Sequence, residues 1–368
     1  MSSALTKTVY LILIIFIGYL FNKKIHSKDQ KDGIKILILG LALPATIFIA
    51  LLKIEFSIEM IIVPALALGF NLMFYFFMHK LPLRNLFNIP EHQYRTLILL
   101  IPSLAPGLSC FPFIAEFSGD EPLALAALAD VGNKLFVLMI AYTIAMKWFY
   151  TRNKIENQTR SSKIKDLLLA MAEEPVNMAI VVAIVMLALG LNFSSLPEFI
   201  QMSIDKLSLM MTPLVLLFIG ISVKLTRQQV KTITSMLFLR SGFAFLFSAV
   251  LLFLLPVKDI GTRLLIVVFI QSACSFWPYA HMVAVGRLED KNNKQGNGTF
   301  DLDFAMNLLA CSLPFSVTLI LIIYSSGDFF THTYTIFGSS LMFIVLSAVP
   351  LLLTQKRSME SMESLANR

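Results

Sequence analysis

The sequence predicts an all-α polytopic membrane protein. Ten of its hydrophobic helices form two inverted five-helix repeats with crossed, discontinuous fourth and ninth helices, and an additional eleventh lies at the C-terminus. Three observations predict this. The 368-residue chain is 57% hydrophobic and only 14% charged, against about 25% charged residues in soluble domains. Its apolar residues gather into runs close to membrane-crossing length, separated by basic connectors. Two pairs of prolines recur at matching places in the two halves.

Composition alone makes lipid the solvent. The mean hydropathy is +0.76, and no soluble globule hides that much apolar surface, because even a large one leaves much of itself wet. A hydrocarbon core of roughly 30 Å needs about 17–25 helical residues to cross it. Such runs fall at 8–21, 36–52, 60–78, 97–115, 123–146, 176–191, 207–223, 233–255, 264–285, 304–324 and 334–353. Most are unbroken or interrupted only by Pro and Gly, which favours helices over barrel strands. The first and sixth are short, so their ends are expected to extend into the flanking residues. The first lacks a small-residue cleavage site and runs directly into Asn22, Lys23 and Lys24, which suits a retained helix rather than a signal peptide.

The basic residues set the orientation. Alternate loops carry 23 of the 30 Lys and Arg, the opposite loops five, and Lys134 and Arg240 lie inside spans. Positive charge stays cytoplasmic, so the N-terminus is expected outside and the C-terminus inside. Spread in this way, the net charge of +7 marks membrane topology and not a nucleic-acid partner. The expected domains are a first repeat over 1–150, a cytoplasmic connector with an interfacial helix over 151–175, a second repeat over 176–326, the additional helix over 327–355 and a cytoplasmic tail over 356–368.

Proline in a membrane helix frees backbone groups that must find other partners. Ser109-Cys110-Phe111-Pro112-Phe113 and Ser275-Phe276-Trp277-Pro278-Tyr279 share the pattern Ser, any residue, aromatic, Pro, aromatic. Upstream, Pro44 in the second run matches Pro213 in the seventh, and the spacings agree: 68 positions from Pro44 to Pro112, 65 from Pro213 to Pro278. Matching positions lie five spans apart, an odd number, so the halves are inverted. Inverted repeats with interrupted helices at equivalent places point to a binding site near the midplane. Single prolines often only kink a helix; two matched pairs make coincidence the weaker explanation.

With these motifs the chain resembles the auxin efflux carrier (AEC) family of permeases, over about residues 8–325. The resemblance rests on the second span ending GLALPATIFIALL, the Asp130-Val131-Gly132-Asn133 run, the TPLVLLFIGISVKL segment and the two proline motifs. It implies ten spans in a five-plus-five inverted arrangement, related in fold to bile acid/sodium symporters and sodium/proton antiporters. It also implies a crossover marked by Pro112 and Pro278, and a bacterial inner-membrane location. Two features depart from the pattern: the run at 334–353 is additional, and the sixth span opens with Glu-Glu-Pro-Val-Asn instead of an Asn-Pro pattern.

The polar residues inside spans are the candidate site. At 1.5 Å per residue from Leu123, Asp130 lies roughly 10 Å into the core and Lys134 about 16 Å. Each would cost around 2.5–3.5 kcal/mol facing lipid alone. They are four apart on one helix, acid first, the favourable order for a pair. Lys134 then offers a fixed positive charge to a carboxylate, with Asp130 holding it or exchanging protons and Asn133 beside them. Two other roles stay open: that Lys134 fills a place where related carriers hold sodium, or that the ion pair only locks the fold. Ser109, Cys110, Phe111 and Pro112 in one half, and Gln271, Ser275, Trp277 and Pro278 in the other, are the expected lining of the crossover. Hydroxyls there can equally satisfy freed backbone, and rings equally serve as packing. Arg240 either reaches Asp303 or snorkels to the headgroups, and His281 reads as a satisfied interior histidine.

The expected function is therefore a carrier of small organic anions, carboxylates foremost, working by alternating access. Proton or sodium coupling and a homodimer are left open, and no cofactor or metal is expected. A membrane enzyme is disfavoured because His26, His79, His92, His281 and His332 are scattered, without a zinc-binding cluster, and ATP is not expected to drive transport because no P-loop occurs. Cys110, Cys274 and Cys311 lack metal-ligand spacing and read as buried inert thiols. A sensor that uses the same fold without net transport is the remaining rival.

Overall fold

A computed structural model describes residues 3–25, 27–53, 62–87, 89–153, 175–222, 230–291 and 298–348. The interfacial helix expected within 151–175 and the tail at 356–368 lie outside the described residues. Helices are the regular secondary structure of the described residues, which include no strand. Six of its helices are long and apolar enough to cross a membrane, and four shorter apolar ones accompany them.

The elements are α1 (Ser3–Phe21), α2 (Lys28–Leu37), α3 (Leu43–Leu52), α4 (Ile62–Lys80), α5 (Leu83–Leu86), α6 (Glu91–Leu100), α7 (Pro106–Ser109), α8 (Phe111–Phe117), α9 (Asp120–Lys134) and α10 (Ala141–Asn153). After the connector come α11 (Pro175–Ala188), α12 (Glu198–Leu209), α13 (Met211–Ser222), α14 (Val230–Leu254), α15 (Ile260–Ile270), α16 (Phe276–Lys291) and α17 (Leu302–Ser325). The last, α18, is Thr333–Ala348.

Local sequence explains many of the boundaries. Ser27 and Gln30 form a reciprocal capping box at the start of α2. Asp259 caps α15 through the Thr262 amide, and Asp301 caps α17 through the Phe304 amide. The chain turns from α8 into α9 at Gly119, whose φ of 88° suits glycine. A π-helical turn, Ile38–Ala42, joins α2 to α3, and across it the Leu43 amide donates to the Ile38 carbonyl. The wide turn lies just ahead of Pro44, whose ring would crowd a carbonyl four residues back in a regular helix. Pro213 likewise follows an interruption, at Met210 between α12 and α13.

Packing sorts the helices into two groups. In one, α1 lies along α13, while α3 packs against α11 and α12. The approach of α1 to α13 is close: a Cβ on Gly18 would meet the Leu217 backbone, and one on Gly220 the Ile15 carbonyl. In the other group α4 packs on α9, α10 on α16, and α14 on α15 and α17. Between the groups α9 packs against α3 and α11. The additional helix α18 rides on α14, where Phe343 meets Phe238 and Phe245. Its outer residues Tyr334, Leu341 and Val345 are exposed, as are Val181 of α11 and Phe253 of α14. An apolar exterior of this kind is stable only against lipid.

Candidate functional site

Two stretches leave helical geometry inside the second group. Residues 101–105 separate α6 from α7, and residues 271–275 separate α15 from α16. The first has its cause in Pro102 and Pro106. Proline disfavours the α region for the residue before it, and Ala105 accordingly sits at φ −128° and ψ 65°; Pro106 then opens α7 at a position where its missing N–H costs nothing. This corrects the reading from the Ser-x-aromatic-Pro-aromatic motif. Pro112 lies beyond the break, in the first turn of α8, and accompanies a smaller interruption at Cys110. Pro278 does fit its break: it stands in the first turn of α16, and its ring would clash with the Cys274 carbonyl of a continuous helix.

Buried backbone groups released by such breaks must be paired, and here side chains pair them. At the first break Asn133 donates to the Leu104 carbonyl at 2.9 Å and accepts from the Leu104 amide at 3.2 Å. Asn71 on α4 donates to the Pro102 carbonyl at 2.7 Å. At the second break the Cys274 amide donates to Ser312 Oγ on α17 at 2.9 Å. The two breaks also bond to each other. The Ala105 amide donates to the Ala273 carbonyl at 2.8 Å, the Ala273 amide to Ser109 Oγ at 2.9 Å, and the Ser275 amide to Ser103 Oγ at 2.9 Å.

The ionisable pair borders this junction. Lys134 Nζ lies 3.3 Å from Asp130 Oδ2 and donates to Asn177 Oδ1 on α11 at 3.0 Å. Asn133 donates to Asp130 Oδ1 at 2.8 Å, so carboxylate, amide and first break form one network. Asp130 and Lys134 are 6% and 5% exposed, which makes the pair a buried one. A second π-helical turn, Leu135–Ile140, begins directly after Lys134; such turns are frequent at functional sites. Gly132 lets α9 approach α4, because a Cβ there would meet the Pro64 carbonyl.

The structure thus brings Ser109, Asp130, Asn133, Lys134 and Ser275 to one junction. Gln271 lies at the second break and donates to the Ser241 carbonyl at 3.1 Å. Its Oε1, and Asn71 Oδ1 at the first break, are buried without a hydrogen-bond partner among the described residues. The predicted rings separate: Phe111 and Phe113 are sealed in the core, whereas Trp277 is 40% exposed. Cys110 and Pro112 are buried beside Phe111, Pro278 is buried in α16, and Cys110 is a free thiol. His281 is buried with a ring nitrogen 2.9 Å from the Val137 carbonyl.

Sequence reasoning missed two cations. Arg240 neither snorkels nor pairs with Asp303, which is exposed. It is 1% exposed and donates to the Ile101, Ser103 and Ser272 carbonyls, touching both breaks. Its place inside a span was visible, but its partners were not. Lys35, counted with the cytoplasmic loops, lies on α2 with Nζ 4.6 Å from the centre of the Phe276 ring, at the mouth of α16. The helix Asp29–Leu52 begins well before the apolar run does, so Lys35 lies within it and not in a loop.

No protein-family profile matches the chain. Over 221 residues it is 23% identical to an uncharacterized transporter of Methanocaldococcus jannaschii, a match covering 57% of this chain and 66% of that protein.

Proposed function

We propose that the chain is a secondary transporter of the auxin efflux carrier type that moves small organic anions, carboxylates foremost, by alternating access. The observation that carries this reading is the junction itself: two unwound segments bonded to each other inside a helical membrane protein, with a buried lysine beside them. Broken helices meeting near the midplane are the recurrent design of secondary transport sites. A lysine held inside a bilayer is costly and is kept for function. The transporter relative supports the same class.

In this reading the eleven predicted spans cross the membrane with the N-terminus outside, and the halves are inverted about the junction. The group containing α1, α3 and α13 is the scaffold; the group containing both breaks is the moving bundle. Lys134 bridges them, bonded to Asp130 on its own helix and to Asn177 on α11. An incoming carboxylate exchanges with the Asn177 contact, so occupancy alters a bond between the groups. The positive N-terminal end of α16 lies at the other break, as does Gln271, whose Oε1 is buried without a hydrogen-bond partner among the described residues. Lys35 adds a second cation toward the cytoplasmic mouth.

Purified protein in proteoliposomes, screened with labelled mono- and dicarboxylates under imposed proton and sodium gradients, tests the proposal. Saturable uptake of at least one carboxylate is expected. Binding without flux for every compound would replace it with a sensor on the same fold.

A further inference from the structure

Backbone carbonyls of unwound membrane helices are natural ligands for a cation. Three of them converge here from two different breaks: the Ile101 and Ser103 oxygens of the first at 3.0 and 3.3 Å, and the Ser272 oxygen of the second at 2.6 Å. What they surround is the guanidinium of Arg240. This group is 1% exposed, and among the described residues no carboxylate lies within ion-pair distance of it. A guanidinium stays charged in a protein, so carbonyl dipoles are what balance it. We infer that Arg240 is a tethered cation filling a carbonyl-lined cation site between the breaks, where it fixes the two unwound segments to one another.

The geometry excludes two plainer roles. A snorkelling arginine keeps its charged head in water, and this head is buried. A residue that only caps a frayed helix end bonds one segment, and Arg240 bonds two. The other links between the breaks are bonds of neutral groups through Ala105, Ser103 and Ser109. Arg240 is the charged member of the set, and charge-assisted bonds are roughly twice as strong. Its planar fork spans several acceptors at once, which a lysine ammonium cannot reproduce. Arg240 is thus a positioning residue. It holds the breaks in register, and under the transport reading it lets them move as one body.

The test is chemical rescue. Thermal unfolding of purified wild type, Arg240→Ala, Arg240→Lys and Arg240→Gln is followed in detergent with millimolar guanidinium or methylguanidinium, and with equimolar urea as control. Arg240→Ala is expected to melt below wild type and to regain part of the loss with guanidinium but not with urea, while wild type gains nothing. Arg240→Lys should melt between wild type and Arg240→Gln, and this order decides the matter if the alanine variant does not fold. An alanine variant as stable as wild type, equal effects of guanidinium and urea, or a lysine variant no better than the glutamine one would overturn the inference. Carboxylate uptake by Arg240→Ala vesicles should return in parallel with the melting temperature. Absence of uptake in wild type alongside thermal rescue would sink the transport reading and leave the cation site standing.

Discussion

The two breaks are held on one plan by different chemistry. Each is bonded by the long helix before it and the one after it: Asn71 and Asn133 on α4 and α9 for residues 101–105, Arg240 and Ser312 on α14 and α17 for residues 271–275. At the first break the helix that follows also carries Asp130 and Lys134. At the second, the helix that follows carries Ser312, whose hydroxyl accepts from the Cys274 amide. Arg240 stands in the preceding helix and reaches over both breaks. The pairing of freed backbone groups by side chains is therefore common to both breaks, whereas the buried Asp130–Lys134 pair borders the first.

The contrast is most sharply exposed at Lys134. Lys134→Ala is expected to abolish carboxylate uptake in proteoliposomes while the protein still folds; unchanged uptake would move the chemistry elsewhere. Next in size, Asp130→Ala leaves the lysine buried without its carboxylate and should destabilise by about 3–5 kcal/mol. Replacing both partners by apolar residues of similar size should cost less than that single change, since no uncompensated charge is left. Equal losses in thermal melts would mean the pair is not coupled. Asn133→Ala strips partners from both the amide and the carbonyl of Leu104, at about 1–3 kcal/mol for each buried group. Ser312→Ala strips one partner, from the Cys274 amide, and should cost about 1–3 kcal/mol, below the Asn133 value in the same denaturation assay. A serine variant as damaging as the asparagine one would erase the difference between the breaks.

Much of this was legible in the sequence. Asp130 and Lys134 were readable as a pair because an acid and a base four apart on a helix meet whatever lies around them. Pro278 marked the second break for an equally local reason. The first break was misplaced because the Ser-x-aromatic-Pro-aromatic match drew attention to Pro112, while Pro102, just past the end of α6, and Pro106, which opens α7, have no counterparts in the other half. The aromatic residues could not be placed at all. Whether a ring faces core or surface depends on how the helix after a break is rotated, and Phe111 and Trp277 came out on opposite sides of that division.

The sequence by itself determined the solvent, the helical character and the positions of the long apolar segments, since hydropathy and proline geometry act within a turn or two of chain. Only the tertiary structure decided what satisfies the unwound backbone. Arg240 lies 139 positions from Ile101 and 32 from Ser272, and no periodicity links residues so far apart. An orphaned carbonyl inside a membrane accepts whichever donor the packing of neighbouring helices delivers, and that delivery is a property of the fold.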